Sequence, residues 1–596
     1  MTIVNSETHP LEKIFADKYK VDFYQRDYVW GSKHIDDLIR DLSTEFLKNW
    51  KPSDSFDDIL RYDPYFMGEI VLSIKDGINY IIDGQQRITT LTLLLIYIIN
   101  KYKHIDDFPI DEIKPLIYKQ KGGKKTFNLQ IEERKECMEG LYVNGVYDVE
   151  TDNASVNNII ERYSDFEASW DDNINDGNIN MFVYWIMYRV MFSKVWTDSD
   201  DFAYVIFETM NDRGLSLTQV EMLRSYLLAN ISQEKRVEAM NTFDEVTRRL
   251  TNIKLSSKSK AEFEFFKMYF RGHYAETLSQ SPGSHSDFVR IGKEFHRWVR
   301  DNETMLGLKT SDDFVDFMQR IDYYSKAYDK IHTLIQKRNA TEYLYLIVND
   351  DYNFTLQPAL LLSAIAYKDD EETIEKKIKL LSRYLTKILT WRVWNHWLIS
   401  QSSLEAPIYE LCKQIRSKSI EEIIEILDSE PIELPELEAS PRLNQQNKRK
   451  IRVLLSLITA IVGDGSKEPQ YVLNNDEPQE VEHIWSNHPE EHPGYRSEDE
   501  FQTARNNIGD LLVLPKSFNA SYGDDPYCDK VKQYFSQNIL AQSLSNLKYS
   551  NNPGFAKYVN DSGLPFKPYD EFDGTAITER AELYKQILSY NWNPTA

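Results

Sequence analysis

Apolar and polar positions alternate in short runs over the first hundred residues, then settle into a longer period. Val71-Leu72-Ser73-Ile74 and Tyr80-Ile81-Ile82 flank Asp76-Gly77, a dipeptide suited to a tight turn, so the pattern predicts a hairpin. From Thr89 to Lys103 the apolar positions recur at helical spacing and widen toward the end of the segment, which predicts a helix that passes from amphipathic to buried. Asp83-Gly84 therefore falls at a strand end, just ahead of a helix N-terminus. Between about residues 155 and 430 helical spacing dominates, most clearly from Ile374 to Trp391, and the aromatic continuation Trp391, Trp394 and Trp397 reads as core. The stretch Asp428 to Pro441 is acidic and carries Pro431, Pro435 and Pro441, which break any helix. The expected architecture is α+β, helix-rich and multidomain: an N-terminal domain over 1–230, a helical connector over 231–430, a linker at 431–441 and a C-terminal domain over 442–596.

Two stretches carry chemistry. In Asp83-Gly84-Gln85-Gln86-Arg87-Ile88-Thr89-Thr90, the helix N-terminus offers unpaired N–H groups and a positive dipole end. Arg87 can fork onto phosphate, and the Thr89 and Thr90 hydroxyls can add donors or hold a metal. Gln85 and Gln86 supply neutral contacts to base, sugar or water. An ordinary turn followed by a helix cap is the alternative reading of the same residues. The second stretch opens with Val481-Glu482-His483-Ile484-Trp485 and continues through Asn506, Asn507, Gly509, Asp510 and an apolar run to Asn519 and Lys530. It has the layout of a His-Me finger (HNH) nuclease, in which a histidine activates water and a divalent metal stabilises the phosphate. His483 is the expected base, at the end of a short strand. Glu482 and Asn519, the latter expected one residue into the finger helix, offer hard oxygen ligands to Mg²⁺ or Mn²⁺. Asp510 is expected to orient His483 or accept from its ring N–H. Lys530 either faces phosphate or pairs with a carboxylate. The spacing His483, His488, His492 also invites a zinc reading, disfavoured because the segment is loop-like and zinc would consume the base.

These segments, with Phe23 to Trp30, Tyr65 to Leu72 and Phe207 to Thr218, resemble the GmrSD-type, modification-dependent (type IV) restriction proteins. The resemblance covers about 10–230 and 440–560 and departs from the family pattern at Asp510, where Asn is usual. It implies a ParB/sulfiredoxin-like N-terminal domain that binds and hydrolyses a nucleoside triphosphate (GTP, ATP or another), with Gln25, Arg26, Asp83, Gly84, Gln85, Gln86, Arg87 and Thr89 at the site. Asn211 and Arg213 would close that site or couple it to the middle domain. It further implies a C-terminal ββα-metal nuclease domain acting on modified double-stranded phage DNA, such as DNA with glucosylated or hydroxymethylated cytosine or a modified backbone.

Composition tempers this picture. The chain has 596 residues, enough for two or more cores, and a formal charge of −24, which opposes nucleic-acid binding unless cations are concentrated locally. Lys448, Arg449 and Lys450, just ahead of the C-terminal constellation, are the candidate DNA-binding patch; the lysines from Lys114 to Lys125 read as a solvated face. Cys137, Cys412 and Cys528 are too widely spaced for a disulfide framework or zinc knuckle. No apolar run is long enough to span a membrane and no signal-peptide pattern opens the chain, so a cytoplasmic protein is expected, with a homodimer left open. Two alternatives remain beside the restriction enzyme. One is a nucleotide-regulated defence protein whose HNH module is non-specific or RNA-directed. The other is a regulatory binding protein in which that module is degenerate.

Overall fold

The structure, a computed structural model, describes residues 4–21, 28–75, 77–121, 124–131, 134–149, 151, 153–198, 218–255, 259–278, 286–438, 440–492 and 494–592. It divides into two compact units, Met1–Ser225 and Tyr226–Ala596, and is a helix-rich α+β protein. Among the described residues no helix is long and apolar enough to cross a membrane.

Among the described residues the first unit is built on a mixed six-stranded sheet in the order β1-β8-β3-β4-β2-β7. Its strands are β1 (Asn5–Pro10), β2 (Tyr19–Val21), β3 (Tyr65–Lys75), β4 (Ile78–Asp83), β7 (Leu129–Gln130) and β8 (Val190–Thr197); β5 (Tyr118–Lys121) and β6 (Lys124–Phe127) form a separate hairpin. The hairpin expected around Asp76-Gly77 is β3 and β4, antiparallel, with a register shift between Val71 and Leu72 opposite the end of β4. On its other side β3 runs parallel to β8, which in turn pairs antiparallel with β1, so residues 5–10 meet 191–196.

Helices α1 (Ser32–Asn49), α2 (Gln85–Tyr102), α3 (Lys135–Asn144), α4 (Ala154–Ser169) and α5 (Ile179–Arg189) surround this sheet. Helix α2 is the centre of the core: Leu91, Leu93, Leu94, Leu95, Ile96 and Ile98 are all fully buried, each contributing about 2 kcal/mol. Burial on every side explains why its apolar pattern thickens instead of keeping one stripe. It begins at Gln85, four residues before the expected start at Thr89, so Gln85, Gln86 and Arg87 lie in its first turn.

In the second unit the helical middle includes Ser311–Lys337, Ala340–Asp351 and Glu371–Trp394, the last covering the expected Ile374 to Trp391 segment. Trp394 is buried as core, whereas Trp397 is 45 % exposed, because the helix ends at Trp394 and His396 takes a left-handed φ of 61°. Beyond it come α6 (Lys448–Gly465), β9 (Gln479–His483), α7 (Glu498–Arg505), β10 (Leu511–Pro515), α8 (Lys516–Tyr522), α9 (Tyr527–Tyr534) and α10 (Gly574–Asn591).

Candidate functional site

Strands β9 and β10 form a short antiparallel ribbon in which His483, the last residue of β9, sits opposite Leu511, the first of β10. Apolar Leu511 to Leu514 are buried, which anchors the ribbon against the protein. The chain passes from Pro515 directly into α8, giving a strand–strand–helix unit. The turn ahead of β10 is pressed onto α10: a Cβ on Gly509 would lie 1.9 Å from the Ile577 carbonyl, so no other residue fits there. Tyr584 of α10 also donates to the Leu511 carbonyl at 3.1 Å.

His483 is half-buried, and its Nε2 is 3.1 Å from Asn506 Oδ1. Asn506 Nδ2 donates to the Gln502 carbonyl at 2.8 Å, which fixes the amide so that its oxygen faces the ring. Nε2 therefore carries the proton, and Nδ1 is left with the lone pair. Burial, followed by the nearby Arg505, Lys530 and Lys448 charges, pushes the imidazole down to about 3, with the Asn506 bond opposing. The ring is thus neutral throughout the physiological range, the state a general base requires.

Asp510 does not meet the imidazole, as one of its expected roles required. Its Oδ1 accepts the Trp485 backbone N–H at 3.1 Å and its own carbonyl accepts the Ile484 N–H at 2.8 Å, clamping the chain just after His483. The residue is fully buried, its Oδ2 has no protein partner, and burial holds its carboxyl well above the usual range. A protonated Asp510 has the shape of the asparagine expected at this position.

Lys530, expected among the DNA contacts, is 0 % exposed and cannot reach a phosphate. Its Nζ donates at 2.8 Å to Glu482 Oε1, to the His483 carbonyl and to the Gly523 carbonyl. It ties β9 to the segment after α8, and it resolves the open choice in favour of a carboxylate partner. Glu482 is correspondingly buried, with its carboxyl raised by desolvation and pulled back by Lys530. Asn519 is the fourth residue of α8, not the second; its Nδ2 lies 3.4 Å from the Val481 carbonyl and its buried Oδ1 has no protein partner.

Among the described residues no three His, Cys, Asp or Glu side chains converge as a metal cage. The three histidines of the zinc spacing diverge: His492 stacks on Trp485 at 4.1 Å, and His488 pairs with Glu490 at 3.2 Å. Lys448, Arg449 and Lys450 open α6; Lys448 and Arg449 are exposed, and Arg449 Nε donates to the Asp351 carbonyl at 2.9 Å. Cations at a helix N-terminus oppose the dipole, and the Arg449 bond to Asp351 offsets part of that unfavourable placement. Arg505 and Asn506 have no catalytic role in the sequence pattern alone, yet both flank His483; the signal was their position just before the Gly509-Asp510 turn.

In the first unit Gly84 joins β4 to α2 with φ +98°, and a Cβ there would meet Ile70 Cγ2 at 2.5 Å. Arg87 donates to the Glu69 carbonyl and lies 3.7 Å from Asp83, so the two expected phosphate-site residues also hold one another. Gln86 Oε1 accepts the Val29 N–H at 2.9 Å, and Thr90 shares a 2.7 Å hydrogen bond with Tyr28, so the chain at Tyr28–Val29 is pinned to α2. Thr90, and not Thr89, is thereby committed to structure. Gln25, Arg26, Asn211 and Arg213 lie outside the described residues.

Comparison with curated proteins finds no match to this chain. Two family models do match: the N-terminal domain of GmrSD restriction endonucleases over residues 11–228, and the C-terminal domain of the same enzymes over residues 436–586. Both halves of one enzyme architecture thus occur here in order, the first spanning the Gly84 turn and the second His483, and the chain belongs to the GmrSD restriction endonuclease family.

Proposed function

We propose that this restriction endonuclease is of the type IV kind, cleaving modified double-stranded DNA at His483 under the control of a nucleoside triphosphate bound near Gly84. The observation that carries the nuclease assignment is the oriented, neutral imidazole at the end of β9, with Nε2 held by Asn506 and Nδ1 presenting its lone pair. Nδ1 takes the proton from the attacking water, and Asn506 keeps the ring from rotating as the imidazolium forms. An incoming phosphodiester adds negative charge beside Arg505 and His483, which offsets the cationic field and raises the base toward a useful strength. Lys448, Arg449 and Lys450 supply the local positive surface that a −24 chain needs to hold DNA.

Asn519 Oδ1, a buried oxygen with nothing to accept from, fits a hard divalent cation, Mg²⁺ or Mn²⁺; Glu482, expected as a second ligand, is instead engaged by buried Lys530 and would have to give up that bond to join it. Such a cation supplies charge stabilisation at the phosphate and the leaving oxygen. The ribbon-and-helix unit is then read as a ββα-metal finger, and the first unit as a ParB/sulfiredoxin-like nucleotidase with Gln25, Arg26, Asp83 to Arg87, Asn211 and Arg213 at its site. Nucleotide occupancy gates cleavage, through coupling of two sites with distinct states on one chain.

The test separates the two sites. His483→Ala abolishes DNA cleavage and leaves nucleotide turnover within about twofold of wild type. Loss of both activities in a folded variant would remove the two-site division.

A further inference from the structure

The helical middle of the second unit holds a cavity of about 530 Å³, lined from the helices Ala261–Tyr274 and Ser311–Lys337 and from the end of Ala340–Asp351 onward. Sites for small molecules measure about 300–1,000 Å³. At about 30 Å³ per water-sized group, this one takes about eighteen such groups, enough for a nucleobase with a substituent.

Three observations define its chemistry. The first is an aromatic floor: Tyr328, Phe354 and Tyr409 are buried and line it together with Met268 and Leu356. His332 joins them, with its ring 4.5 Å from that of Tyr328 and its Nε2 without a partner; burial pushes the imidazole down to about 4, so the ring is neutral. The second is the mouth, where the exposed Gln336 and Asn353 carry amides that no described residue engages. The third is the balance of charge. Lys267 pairs with Glu264, Arg271 with Glu405 at 3.5 Å and Arg338 with Asp351 at 2.9 Å. Among the described lining residues that leaves Lys254 and Asp350, one of each sign. An aromatic floor, amides at the mouth and matched charges suit an uncharged, flat, polar occupant and not a phosphate chain.

The surroundings select among such occupants. Asp350 lines the cavity, and the next residue, Asp351, accepts the Arg449 Nε–H on its carbonyl at 2.9 Å and the Tyr471 hydroxyl on its carboxylate at 2.6 Å. The charge of Arg449 reaches Asp350, and that of its neighbour Lys448 reaches His483. The basic start of α6 thus adjoins both the cavity wall and the proposed nuclease centre, and phosphates held there would bring a nucleotide to the mouth. A base within a duplex is stacked and enters a cavity only when turned out of the helix; aromatic side chains replace the stacking it loses.

We propose that this cavity receives a single base turned out of the DNA duplex, reading its substituent with the Gln336 and Asn353 amides while Lys448 and Arg449 hold the flanking phosphates. The proposal rests on the restriction reading above and adds to it the place and manner in which a modification is recognised.

The experiment measures binding of the full chain, with EDTA to prevent cleavage and each nucleoside triphosphate in turn, to duplexes carrying one cytosine, 5-hydroxymethylcytosine or its glucosylated form. A neighbouring 2-aminopurine, whose fluorescence rises when it unstacks, reports extrusion. Thr355→Trp fills the mouth from an exposed lining position, and Gln336→Ala trims an exposed amide; thermal melts matching wild type establish that both variants fold. Wild type is expected to bind a modified duplex about tenfold or more tighter than the cytosine duplex, with a fluorescence rise. Thr355→Trp should abolish that preference and the rise while leaving affinity for the cytosine duplex unchanged, Gln336→Ala should reduce the preference severalfold, and Arg449→Ala should weaken all duplexes alike. Wild-type preference in Thr355→Trp would overturn the cavity and leave the restriction reading standing. A preference without a fluorescence rise would overturn extrusion, and no preference in wild type would overturn both this proposal and the modified-DNA reading beneath it.

Discussion

Replacing Lys530 with Met probes the assumption on which the geometry around His483 depends. The ammonium is completely buried, with three acceptors at 2.8 Å: Glu482 Oε1 and the carbonyls of His483 and Gly523. Removing it leaves a carboxylate and two carbonyls without their donor in a site that excludes water. Breaking a buried ion pair from one side costs about 3–5 kcal/mol, because the surviving charge is uncompensated. At about 1.4 kcal/mol per factor of ten, hydrogen-exchange protection of the β9 and β10 amides should fall by about two to four orders of magnitude, up to the limit set by global unfolding. Exchange measured by mass spectrometry on peptides spanning 479–483 and 511–515 reads this locally, which matters in a chain of two units. Adding Glu482→Gln to Lys530→Met should restore part of the loss, since a neutral amide is cheaper to bury than a lone carboxylate. Unchanged protection in Lys530→Met, accompanied by weaker DNA binding and a salt slope smaller by about one, would refute the reasoning and make Lys530 a phosphate contact.

Two further substitutions follow from the same site. Because burial raises the Asp510 carboxyl well above its ordinary 3.8, the folded state keeps a proton that the unfolded state gives up. That contribution is fully present below the unfolded value and is lost as pH rises from there through the folded value, at about 1.4 kcal/mol for each pH unit between the two. Asp510→Asn should therefore match wild type near pH 4 and exceed it increasingly toward pH 7, by β10 exchange protection; a pH-independent difference would contradict a protonated Asp510. Asn506→Ala removes the acceptor that fixes the His483 tautomer and should lower kcat for DNA cleavage by about 10–100-fold with KM little changed. An equal loss in Asn507→Ala would point to local unfolding instead, since Asn507 caps the turn at the Gly509 N–H and does not touch the ring.

Legibility in the sequence followed the range of the interactions. The β3–β4 hairpin was readable because its pattern and turn are local, whereas the pairing of β1 with β8 joins positions about 185 residues apart and leaves no local trace. The start of α2 was placed late because Gly84 begins it through a left-handed backbone and not through a capping side chain. At the C-terminal site, the local run from Glu482 to His483 shows a strand end carrying a histidine. The clamp by Lys530, 48 residues on, was invisible, since a lysine is ordinarily exposed and nothing in its neighbourhood announces burial. Asp510 reads as a departure from the family pattern; its burial and the bond that its Oδ1 accepts from the Trp485 N–H are set by the fold and leave no trace in the local sequence.

Whether His483 drives cleavage of modified DNA is tested most directly by incubating wild type and His483→Ala with phage DNA containing glucosylated hydroxymethylcytosine and with the same DNA carrying plain cytosine. Each is assayed in Mg²⁺ or Mn²⁺, with and without each nucleoside triphosphate. The expected result is cutting of the modified DNA alone, by wild type alone; equal cutting of both DNAs, or cutting that survives His483→Ala, would contradict it.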